Sequence, residues 1–184
     1  MAPMSPERIL GIDPGLNTTG YGVLIMQVGR PQLVEAGVVR GTSGRSLTHR
    51  VKEIHDGVRD IIEALQPAAV AIEELYSHYQ RPRTAILMGH ARGVICLAAA
   101  AAGIPVYHYG ATRIKKILTG NGRAPKPQMQ QAIQRELQLP QLPEPADVAD
   151  ALAVALCHGY TSSNATHASL TLPPSTFRTA PPTR

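Results

Sequence analysis

At 184 residues with 43% hydrophobic side chains, the chain is sized for one globular domain with a full core. Two cysteines, Cys96 and Cys157, sit inside apolar helical patterns with no Cys or His at zinc spacing, which excludes a disulfide scaffold and a zinc module. Residues 1–8 lack the apolar run of a secretory signal. The longest apolar stretch, roughly 94–106, is too short and glycine-interrupted to span a bilayer, so a cytoplasmic protein without a membrane partner is expected.

In chain order, Arg8–Ile12 reads as a buried strand closed by Asp13 and turned by Pro14-Gly15. Thr19–Val28 alternates as a second strand, and Gln32–Arg40 is a third after the tight Gly29-Arg30-Pro31 connection. Three strands so joined form an antiparallel meander. Ser46–Leu65 repeats its apolar residues at helical period. Ala68–Ile72 is short and wholly apolar, as a strand buried on both faces should be. After a tyrosine-containing loop come an Ala-rich helix near Pro82–Ala102, a fifth strand at Ile104–Tyr109, and short helices at Ala111–Leu118 and Pro127–Leu137. A last helix runs from about Ala146 to Tyr160, and the Ser/Thr/Pro-rich remainder, 161–184, reads as a disordered tail. The fold class is α/β: a mixed five-stranded sheet, three antiparallel strands and then parallel ones, flanked by helices, with residues 1–160 as the domain.

The charge of +5 is unevenly spread. No acid lies between Glu74 and Glu136, an interval holding Arg81, Arg83, Arg92, Arg113, Lys115, Lys116, Arg123, Lys126 and Arg135. A surface of one sign points to a polyanionic partner or simply to a solvated basic face. Four acids fall where an α/β fold gathers residues into a crevice. Asp13 and Glu73 close apolar runs, and Asp147 and Asp150 share one face of the last helix's first turn. Carboxylates grouped in one pocket repel unless a hard cation such as Mg²⁺ neutralises them. The ordinary alternatives are an Asp capping a turn and two helix-capping Asp residues. Glu74 must point away from Glu73 and is assigned to solvent.

The glycine-rich hairpin after Asp13 is a device shared by ribonuclease H-like nucleases and by actin-type ATPases; the latter need two such domains. The combination ILGIDPG…TGYGV, AIEE, HARGV, a GNG loop with lysines on either side, and DVADALAVA resembles the RuvC family of Holliday junction resolvases, from Ile9 to Tyr160. The resemblance implies a ribonuclease H-like fold, with Asp13, Glu73, Asp147 and Asp150 as the catalytic tetrad holding two divalent ions, Mg²⁺ with Mn²⁺ as a substitute. It implies that Lys115 and Lys126 approach the scissile phosphate, and that Tyr76 stacks at the opened junction centre. Arg81, Arg83, Lys116 and Arg123 are expected as further DNA contacts.

Implied partners are four-way junction DNA, a second copy of the chain joined through the Ala-rich helix, and the RuvA–RuvB branch-migration complex. The implied reaction is paired, symmetric phosphodiester hydrolysis by two metal ions about 4 Å apart, leaving 5′-phosphate and 3′-hydroxyl ends. Competing expectations are a ribonuclease H-fold enzyme acting on RNA–DNA hybrid or structured RNA, and a junction-binding protein without cleavage.

Overall fold

The computed structural model describes residues 7–27, 30–74 and 82–171. Its five strands are β1 (Arg8–Asp13), β2 (Thr18–Gln27), β3 (Arg30–Arg40), β4 (Ala69–Glu73) and β5 (Val106–Tyr109), in the order β3-β2-β1-β4-β5. β1, β2 and β3 form the antiparallel meander, and β4 and β5 add parallel to β1. This is the mixed sheet expected from the sequence. β5 starts at Val106, later than the apolar run suggests: Pro105 accepts from the Val70 amide (3.0 Å) but has no N–H of its own to give to the ladder.

Helices cover both faces: α1 (Leu47–Leu65) and α2 (Pro82–Ala101) on one, and α3 (Ala111–Thr119), α4 (Lys126–Leu137) and α5 (Ala146–Thr171) on the other. Strand parity divides the core in two. Leu10, Ile12, Val23, Val70 and Ile72 face Ile54, Val58 and Ile62 of α1 and Ile95 of α2. Ile9, Leu24 and Ala71 face Leu152 and Leu156 of α5. α1 is capped by Ser46, whose hydroxyl accepts from the His49 amide, and ends at Gln66 in the left-handed region (φ 46°).

The last helix also differs from its sequence expectation. α5 continues past Tyr160 to Thr171, so the polar composition there does not end the helix. Thr161 donates to the Cys157 carbonyl (2.8 Å) and Ser163 to that of Gly159 (2.8 Å), so these hydroxyls bond back within the helix rather than terminating it. Residues 172–184 lie outside the described residues.

The apolar stretch read at 94–106 understates α2. Residues 83–101 form one helix that by length and composition could cross a membrane. One face is committed to the fold through buried Ala91, Ile95, Ala98 and Ala99. The opposite face exposes Ile86 (62%) and Leu97 (58%).

Candidate active site

The four acids meet because of parity, register and two glycines. Asp13 follows Ile9 and Gly11 on the α5 side of β1. Parallel pairing sets Ile12 beside Ile72, which brings Asp13 and Glu73 side by side at neighbouring strand ends. Helix α5 then lies directly on the sheet. A Cβ at Gly20 would stand 2.0 Å from the Asp147 carbonyl oxygen, and one at Gly11 would stand 2.1 Å from that of Ala151. Only glycine permits this approach, and it delivers the first turn of α5, with Asp147 and Asp150, to the strand ends.

Their fields overlap. The Asp13 carboxyl is pushed up to about 7, first by burial and then by the charges of Asp150, Asp147 and Glu73. Burial and the Asp150 charge also raise Glu73, while burial raises Asp150 against the pull of Lys126. Lys126 places its ammonium 3.7 Å from Asp150 Oδ2. Among the described residues no three His, Cys, Asp or Glu side chains are already drawn to metal-ligating spacing. The donor set nonetheless fits a hard divalent cation: it is all carboxylate, partly buried, mutually repelling, and only partly offset by Lys126 and Lys115. A cation here must displace the proton from Asp13. Metal affinity is therefore expected to weaken by up to about ten-fold for each pH unit below about 7 and to level off above it, as measured by Mn²⁺ titration.

Lys115 and Lys126 come from different helices. α3 ends at Gly120 in the left-handed region (φ 74°), and the following turn reverses the chain so that Lys126 opens α4 opposite Lys115. With Glu73 and Asp150 the two lysines line a cleft of about 250 Å³. Lys116, Arg123 and Arg83 are exposed, and none lines that cleft. Tyr76, Tyr79 and Arg81 lie outside the described residues. Glu74 is exposed, its amide donating to the Tyr109 carbonyl (2.9 Å).

In the sequence Arg92 shows only as one of the positive charges of the acid-free interval. From α2 its guanidinium donates to the Glu73 carbonyl and to His108 Nδ1 (2.5 Å), which fixes the end of β4 where Glu73 projects. The HARGV motif marks the residue, but its partners are distant in sequence. Thr19, fully buried, braces the loop after Asp13 by donating to the Gly15 carbonyl (2.7 Å) and accepting from the Gly15 amide (3.3 Å).

Known proteins share the sequence and the fold. Residues 9–158 match the family described as crossover junction endodeoxyribonuclease RuvC. A protein of that name from Rhodopirellula baltica is 56% identical over 162 residues, 88% of this chain and 91% of the relative. The structure of Thermus thermophilus RuvC in complex with Holliday junction substrate superimposes with a TM-score of 0.82 at 34% identity, covering 87% of this chain and 97% of that one. The yeast mitochondrial Holliday junction resolvase Ydc2 shares the fold at 11% identity, with a TM-score of 0.67 over 90% of this chain and 85% of that one.

Proposed function

The chain belongs to the RuvC family of crossover junction endodeoxyribonucleases, and we propose that Asp13, Glu73, Asp147 and Asp150 are the residues with which it resolves four-way DNA junctions. The observation that carries the assignment is the convergence of three other acids on Asp13, whose carboxyl is raised to about 7. Isolated surface acids have no such field, and grouped ones mark sites built to hold positive charge.

The four carboxylates would hold two Mg²⁺ ions, with Mn²⁺ as a working substitute. When bound, the metals supply a more acidic water and neutralise charge on the attacking and leaving oxygens of the phosphodiester. The chain's own part is to orient and to balance charge. Asp13, at the end of the central strand β1 and facing α5, would hold the ions together with Glu73 and the Asp147/Asp150 pair. Lys126 and Lys115, which line the same cleft as Glu73 and Asp150, would face the scissile phosphate and stabilise its growing negative charge. Cleavage on this plan leaves 5′-phosphate and 3′-hydroxyl ends.

A junction has approximate two-fold symmetry, so paired nicks require two such sites related by a two-fold axis. The exposed stripe of α2, with Ile86, Gly89, Gly93 and Leu97 at helical spacing, supports a homodimer through this helix. A Cβ at Gly89 or Gly93 would meet nothing within 4 Å in the protomer, so the small residues serve an approach from outside. By family membership, the RuvA–RuvB branch-migration complex is a further partner, and the cytoplasm the place of action. Tyr76, Arg81, Arg83, Lys116 and Arg123 remain proposed DNA contacts.

Incubating the protein in Mg²⁺ with an immobile four-way junction, a linear duplex and an RNA–DNA hybrid tests the reading. Symmetric nicks in the junction alone are expected. Cleavage of the hybrid with indifference to the junction would transfer the site to a different nuclease activity.

A further inference from the structure

Beside the acidic cleft lies a second cavity, of about 460 Å³, between the loop after Asp13, Arg50 of α1 and the first turns of α2. It touches the catalytic group only through Asp147. Leu16, Leu87 and Met88 give it an apolar wall, and Asn17, Thr18 and Thr84 give it a polar rim. A flat, partly apolar body with polar edges, of the size this space admits, is what a nucleobase offers.

The rim is held in place. The loop bearing Asn17 is braced from inside by Thr19 and from outside by the Gly41 amide, which donates to the Asn17 backbone carbonyl (3.1 Å). Arg50 donates from its guanidinium to Asn17 Oδ1. Arginine has no acceptor, so the amide can present only its oxygen to Arg50, and its NH₂ group turns the other way. Arg50 reaches this position at a cost, since its Nε is buried without a hydrogen-bond partner among the described residues. An arginine orphaned on one edge and spent on orienting an exposed asparagine is a positioning residue.

We propose that this cavity receives the nucleotide adjoining the scissile phosphate, and that Asn17, oriented by Arg50, donates its amide hydrogens to a carbonyl oxygen on that base. The proposal rests on the junction-cleaving role of the neighbouring acids and adds a base-reading element to it. An asparagine with both ends free pairs bidentately with adenine. With Oδ1 committed to Arg50, the amide has no acceptor left for the adenine N6 amino group; its hydrogens can still reach a purine N7, but guanine, thymine and cytosine add a carbonyl oxygen that adenine lacks.

The test is cleavage of a pool of four-way junctions with randomised core positions, sequencing the cut ends for wild type, Asn17→Ala and Arg50→Gln. Wild type is expected to favour carbonyl-bearing bases over adenine at one position flanking the cut. Asn17→Ala should flatten that bias by five-fold or more at that position while preferences elsewhere persist, and Arg50→Gln should flatten it at the same position. Asn17 is exposed and its loop is held by backbone and Thr19 bonds, so the alanine variant should keep the wild-type melting temperature. An unchanged base distribution in Asn17→Ala, or a uniform loss of rate with no change in distribution, overturns the base-reading role. So does a wild-type profile flat at both flanking positions. Failure of wild type to nick junctions at all would instead strike the function proposed for the acids.

Discussion

Asp13→Asn is expected to lower junction cleavage by about 10³-fold or more, the scale of removing ~4 kcal/mol of transition-state stabilisation, while junction binding stays within a few-fold. The side chain is nearly isosteric, so the loss reflects charge rather than packing. Loss of binding in parallel with cleavage would instead mean that Asp13 shapes the DNA surface. The same variant has a second signature, in stability without metal. The Asp13 carboxyl titrates near 7 in the folded chain against an ordinary value of 3.8, so the folded state holds that proton more tightly than the unfolded one. Stability from this group is complete below about pH 4 and is lost as pH rises through about 7. Asparagine does not titrate. With chelator present, Asp13→Asn should therefore melt above wild type at about pH 8, by ~1–2 kcal/mol after allowing for solvent in the cleft, or roughly 2–8 °C. The gap should shrink toward about pH 4. A variant no more stable than wild type at high pH would contradict the repulsion assigned to the tetrad.

Gly93→Glu separates dimerisation from folding. The added side chain enters open space in the protomer, and replacing glycine inside a helix should stabilise that protomer by about 0.5–1 kcal/mol. Across a two-fold seam the same change sets two carboxylates against each other in a close, partly apolar contact, which costs several times more than it contributes. The variant should sediment as a folded monomer. On a supercoiled plasmid extruding a cruciform, wild type should give linear product from two nicks made together. The variant should give nicked circles, with linear product reduced about ten-fold or more. A dimer that persists, or linear product at the wild-type rate, would remove α2 from the interface.

Much of this architecture is legible in the sequence, because the strands are short apolar runs ended by turn residues and the acids sit at their ends. Asp13 and Glu73 could be placed by parity alone once β1 and β4 were paired. Their meeting with Asp147 and Asp150 could not, since it depends on the clearance that Gly11 and Gly20 leave for α5. That clearance is a property of two packed surfaces, not of either segment. Arg92 and Arg50 escape for a similar reason: each acts on a partner distant in sequence, the Glu73 carbonyl in one case and the Asn17 amide in the other. The end of α5 is not legible in composition: Thr161 and Ser163 suggest a loop, yet in this helix their hydroxyls bond back to the preceding turn. The roles proposed for Lys115 and Lys126 come from the resemblance alone; the structure shows that the two lysines, from separate helices, line one cleft.

The most direct test of the tetrad is anomalous diffraction from crystals soaked in Mn²⁺, preferably with a junction bound. The account predicts manganese against the Asp13 carboxylate, with Glu73 on one side and Asp147 or Asp150 on the other. Manganese bound elsewhere, or none between these acids in crystals of an enzyme that cleaves junctions in the same ion, would contradict it.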